Sequence, residues 1–238
     1  MSQSLPPAAP AKTSLVDDLV DIFTSPAEVF RRRMGSNSWP LLIILSLCLI
    51  GLFLATRGVM QPVFDAEWAR AVARAEATNP QAATAMAGAR GMVEKFQVVG
   101  VILAVPVSVL FIGVVLWLVG KIFGAMQTVG DAMMVATYAY IPRILGGVVG
   151  AAMAMLMDAS KLNSMFAPSL SVARFLDPDA TPHALFQLAG RLDVFVLWQT
   201  ALLGIGLSVT GKIPRLQGYI AAALMWLVGT GAIMGMQR

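Results

Sequence analysis

Residues 41–55, LLIILSLCLIGLFLA, form an apolar run without a single charge. Trp39 stands before it and Arg57 after it. A helix rises about 1.5 Å per residue, so about 20 such residues cross a hydrocarbon core of about 30 Å. The run therefore reads as a membrane span over 39–59, with Trp39 as its interfacial anchor. Four further stretches read the same way, at 98–119, 132–157, 192–209 and 216–236. Composition agrees with this reading. Of the 238 residues, 58% are hydrophobic and 13% charged, a charged share about half that of a soluble domain. The mean hydropathy is +0.75. The expected fold is an all-α polytopic bundle of five transmembrane helices over 37–238.

Upstream of the first span, residues 1–13 are rich in Pro and Ala and read as a disordered tail, not a signal peptide. Residues 14–36 read as two amphipathic helices. Ser14 can cap the first, whose apolar stripe is Leu15, Leu19, Ile22 and Phe23, with Asp17, Asp18 and Asp21 mainly off it. Ser25, Pro26 and Glu28 have the spacing of a capping box for the second, which ends in Arg31, Arg32 and Arg33. Short amphipathic helices before a span lie in the headgroup layer. The alternative is a soluble cap packed on the bundle. The three arginines precede the first span and so orient it with the N-terminus in the cytoplasm.

The connections are unequal. Residues 61–95 are polar and read as two short helices outside the membrane, restarted at Asn79-Pro80, with Phe64, Trp68 and Val72 on one face. Pro106 lies inside the second span, which neighbouring helices can support. The third span is unusual. Tyr138, Tyr140, Pro142 and Arg143 fall near its middle, and Gly146, Gly150 and Ala154 follow as a small-residue ladder for close helix packing. A mid-depth charge costs about 2.5–3.5 kcal/mol. Arg143 can hold an anion or substrate, snorkel past the break that Pro142 makes, or tie to Gln199 or a backbone carbonyl. In the fourth span Asp193, Thr200, Gly204 and Ser208 share one face, which reads as helix packing.

Catalytic chemistry finds no foothold. One cysteine, Cys48, excludes a disulfide within this chain, and one histidine, His183, excludes a two-histidine metal motif. Cys48 reads as a small buried hydrophobe. No nucleophile elbow, phosphate loop or paired carboxylate occurs, so neither an enzyme nor a cofactor or metal is expected. The net charge of +4 reads as anchoring on the cytoplasmic side, not as nucleic-acid binding. Expected partners are membrane lipids, and a membrane protein or a second copy. A small transporter with a polar path near Arg143 is the alternative.

Three stretches, in order, resemble the Yip family of Rab-GTPase-interacting membrane proteins, in its bacterial branch. They are residues 21–30 (DIFTSPAEVF), 138–143 (YAYIPR) before a Gly-rich helix, and 191–198 (RLDVFVLW) leading to 204–207 (GIGL). The similarity spans about 15–229. It implies five spans, a cytosolic N-terminus and a non-enzymatic scaffold, adaptor or membrane-organising role. Eukaryotic members carry an Asp-Leu-Tyr-Gly-Pro-like motif. Residues 21–26 stand in its place, one residue longer and without the Gly. With 12 Arg against 5 Lys, the composition suits a bacterial inner membrane.

Overall fold

The computed structural model describes residues 14–236, and every extended element among them is helical. The tail expected over 1–13 lies outside the described residues. Ser14 caps α1 (Leu15–Thr24). Its hydroxyl accepts the Asp17 N–H at 3.2 Å, and the Asp17 carboxylate accepts the Ser14 N–H at 2.9 Å. Helix α2 (Pro26–Arg33) turns back along α1. The capping box expected at Ser25 and Glu28 does not form. Such a box needs the Ser25 N–H, but that group closes α1 by donating to the Asp21 carbonyl at 2.7 Å. Glu28 pairs with Arg31 instead.

Helix α3 (Trp39–Thr56) is the first span. The second span and the polar helix before it are one continuous element, α5 (Pro80–Ile122), of 43 residues capped by Asn79. Nothing after Pro80 breaks the Ala-rich run, and Ala is the strongest helix former. At 1.5 Å per residue α5 is about 64 Å long, about twice a bilayer core. Its first part is therefore a stalk. Helix α4 (Gln61–Thr78) packs against that stalk. Arg90 of the stalk bridges Asp65 and Glu94 and lies 5.6 Å over the Phe64 ring, which stacks on Trp68.

The third span is α6 (Val129–Ala139) and α7 (Ile141–Leu156), divided at Tyr140. Pro142, in the first turn of α7, has no N–H to continue the ladder. Helix α8 (His183–Arg191) precedes α9 (Val194–Gly211), and Lys212 in the left-handed region turns the chain into α10 (Arg215–Met236). Among the described residues, four stretches are long and apolar enough to cross a membrane: Trp39–Thr56, Pro80–Ile122, Val129–Leu156 and Val194–Gly211. Helix α10 stands where the fifth span is expected and packs tightly on α9. A Cβ on Gly218 would come within 2.3 Å of the Gly204 carbonyl oxygen.

Helix α6 is the centre of the bundle. Ala132, Met134, Val135, Ala136 and Ala139 are fully buried between α5 and α9. Lipid tails are as apolar as these side chains, so close contact rather than escape from water holds such helices together. Gly206 of α9 illustrates this, since a Cβ there would stand 2.3 Å from Val135. Large apolar side chains face outward on α3, α5 and α10, among them Leu47, Phe111 and Val228. Cys48 is among the exposed residues, not buried as expected. It lies beside Leu47, on the outward side of α3.

Contacts gather at two ends. At one, Gly35 N–H donates to Asp131 at 2.8 Å, and Met126 N–H to the Gly211 carbonyl at 3.0 Å. At the other, Arg70 of α4 meets Asp179 at 2.9 Å, and Glu67 accepts the Met165 N–H at 3.2 Å.

Candidate functional site

The N-terminal hairpin is locked to the bundle through one carboxylate. Asp18 is fully buried. It lies three residues after Leu15 and four before Ile22, so it belongs to the apolar stripe and not beside it. Arg32 Nε donates to one of its oxygens at 2.8 Å, and Arg33 Nε to the other at 2.6 Å. The Tyr138 hydroxyl, from α6, donates to that second oxygen at 2.8 Å. Arg32 also reaches Asp21 at 2.7 Å. Burial disfavours the charge on Arg32, but Asp21 and Asp18 outweigh it and hold its pKa above the ordinary guanidinium value.

Apolar contacts surround this lock. Ile22, Val29 and Phe30 are fully buried, and the Phe23 ring stands edge-on to Trp198 of α9 at 5.0 Å. Trp198 lies 13 residues from the Gly211 end of α9, about 20 Å along the helix. The turn between α1 and α2 therefore reaches well along the bundle. The outward face of the hairpin carries Val16, Val20, Glu28, Arg31 and Met34.

The three arginines thus divide. Arg31 is exposed and pairs with Glu28. Arg32 and Arg33 are engaged by Asp18. Trp39, the expected interfacial anchor, is exposed at the start of α3.

The polar residues singled out in the third and fourth spans are not brought together. Tyr138 serves the Asp18 lock. Tyr140 is half-buried at the helix break and Pro142 is buried. Arg143 is exposed on the first turn of α7. Its charge is felt by Arg191, which is half-buried and donates to Thr230 at 3.3 Å. Burial first, and then Arg143, lower the Arg191 pKa. Gln199 is buried on α9, and among the described residues its Nε2 has no hydrogen-bond partner. Among the described residues no hydrogen bond joins it to Arg143. Asp193 caps α9, accepting from the Phe195 and Val196 N–H groups at 2.9 and 3.2 Å.

The small residues lie at tight approaches. A Cβ on Gly146 would come within 2.6 Å of the Phe195 ring, and one on Gly150 within 3.2 Å of the Pro168 carbonyl oxygen. Ala154 is buried with Val63 and Leu162. Gly204 meets Tyr219 of α10.

Sequence reasoning missed three polar residues. Asp18, read as off the apolar stripe, sits on it, and its spacing from Leu15 and Ile22 was the signal that could have found it. Asp131 caps α6 through Thr128 and holds Gly35. Gln127 is buried, donating to the Leu116 carbonyl at 3.1 Å and accepting from Thr210 at 2.9 Å. Nothing local marks the last two as joints.

A family model described as the Yip1 domain matches residues 20–236. The chain is 25% identical over 211 residues to the membrane protein YknW of Bacillus subtilis, covering 87% of this chain and 84% of that one. No solved structure matches.

Proposed function

The chain belongs to the Yip1 domain family, and from that premise we propose that it is a non-enzymatic organiser of the membrane it spans, with a scaffold or adaptor role. Its setting is a bacterial inner membrane, with five spans and the N-terminus in the cytoplasm. The observation that carries the reading is the buried Asp18 lock. It ties α1 and α2 to α6 while Phe23 rests on Trp198 of α9, so their outward face is a held surface for a membrane-protein partner, a second copy or lipid. Gathering of the connections at two ends supports the five-span arrangement. Residues 121–128, Lys212 and the Gly35 linker share one end, and α4 shares the other with residues 163–179. The full-length α10 packed on α9 supports it too.

The transport reading requires Arg143, Tyr138, Tyr140 and Gln199 to line one path, and among the described residues they do not converge. Reconstitution of the full chain into vesicles separates the two. We expect no flux of ions or small anions above that of empty vesicles. A single cysteine at residue 31, on a Cys48→Ser background, should yield a discrete crosslinked species in native membranes. Flux that Arg143→Ala abolishes would overturn the proposal.

A further inference from the structure

A cavity of about 510 Å³ opens between α3, α4, α5, α7 and the segment around Pro168, within the size range of small-molecule sites. Its two ends differ in chemistry. Leu49, Leu52, Phe53 and Val101 line one part, opposite Gly146, Gly147, Gly150 and Ala151 of α7. The space exists because that face of α7 carries almost no side chain. A Cβ on Gly147 would stand 3.0 Å from Leu52, where α3 and α7 close the floor. The mouth, toward α4, mixes polar Arg57, Gln61, Glu67 and Gln97 with apolar Met60 and Phe64.

Two charges stand at that mouth, and they differ in their commitments. Glu67 already accepts the Met165 N–H and lies 3.8 Å from Arg70. Arg57 is exposed and, among the described residues, makes no hydrogen bond or ion pair. The uncompensated charge is therefore positive. From Leu49 to Arg57 is eight residues, about 12 Å of helix, which is less than half of a core of about 30 Å. The apolar part thus lies within one leaflet, with Arg57 at the level where headgroups sit.

We propose that this cavity binds an anionic phospholipid of that leaflet, with one acyl chain against the glycine face of α7 and the phosphate on Arg57. It deepens the membrane-organising reading by naming a lipid class that the bundle selects. It needs only that the bundle sits in a bilayer, so its failure would leave the flux and crosslinking results untouched. Arg57 is suited to the role, since its long stem can run along the apolar wall while the guanidinium stays at the interface.

The test uses the full chain in nanodiscs doped with phosphatidylglycerol carrying a diazirine in one acyl chain, with the matching phosphatidylcholine as comparator. After photolysis, label should concentrate on residues 49–53, Val101 and residues 146–151. The anionic probe should exceed the comparator by about five-fold, the factor that about 1 kcal/mol per basic residue near anionic lipid supplies. Arg57→Gln should reduce that ratio to about one while the chain label persists. Ala151→Phe, or Val101→Phe from the facing wall if the first fails to fold, should remove the label. Equal labelling by both probes would overturn the choice of an anionic head. Label spread over outward positions such as Phe111 and Leu216, or unchanged in the filled variants, would overturn the site.

Discussion

The two oxygens of Asp18 join three elements, α1, α2 and α6. A carboxylate without water is tolerated only when its oxygens are filled, and Arg32, Arg33 and Tyr138 fill them. Removing one partner of a fully buried ion pair costs about 3–5 kcal/mol. The lower end applies here, because the Arg32 and Arg33 side chains are 24% and 23% exposed and Arg32 keeps Asp21. Asp18→Ala should therefore destabilise the protein by about 3 kcal/mol. Tyr138→Phe loses one hydrogen bond to a charged group and should cost about 1.5–3 kcal/mol. Because both act on one cluster, the double variant should fall short of the sum. Thermal unfolding in detergent measures all three. Arg31→Glu is the control. Its pair with Glu28 is exposed, so it should lower stability by no more than about 1 kcal/mol. A loss from Arg31→Glu equal to that from Asp18→Ala would mean the lock does not act as described.

At the scale of the helix, glycine has two opposite uses here. Gly88 and Gly91 lie in the stalk of α5 with nothing within 4 Å of an added Cβ. There glycine only raises the entropy lost on folding, so Gly88→Ala and Gly91→Ala should each stabilise by about 0.4–1 kcal/mol. Gly146 is held against the Phe195 ring, where a Cβ would come within 2.6 Å. Gly146→Ala should destabilise by about 1–3 kcal/mol, the usual cost of overpacking. The same substitution thus changes sign between stalk and bundle, and melting temperatures of the three variants check it. Close packing at Gly146 was legible from the small-residue spacing. The break before Pro142 was one of three open readings of Arg143, and the approach of Gly150 to the loop carbonyl of Pro168 had no local signal. The continuous α5 was not legible either. Asn79-Pro80 marks its start, but a polar stretch and an apolar stretch in one helix look like two elements to any reading based on composition.

For the whole molecule, the proposed five-span arrangement puts the stalk and the Lys212 turn on opposite faces. In a Cys48→Ser background, a cysteine at Arg74 should react with an impermeant thiol reagent from outside the cell, and one at Lys212 only after permeabilisation. Reaction of both from one side would break the five-span arrangement. The membrane class and the helical lead-in follow from the sequence alone. Hydropathy and helical period are properties of neighbouring residues, and a bilayer core admits few other structures. Where polar groups meet depends on the packed bundle. Asp18 and Tyr138 are 120 residues apart, and Thr210 and Gln127 are 83 apart. No local pattern pairs them. Their contact follows from how α1, α6 and α9 pack, and packing is set by shape across the whole bundle. The same holds for the cavity beside Gly147, which four helices and a loop segment enclose together.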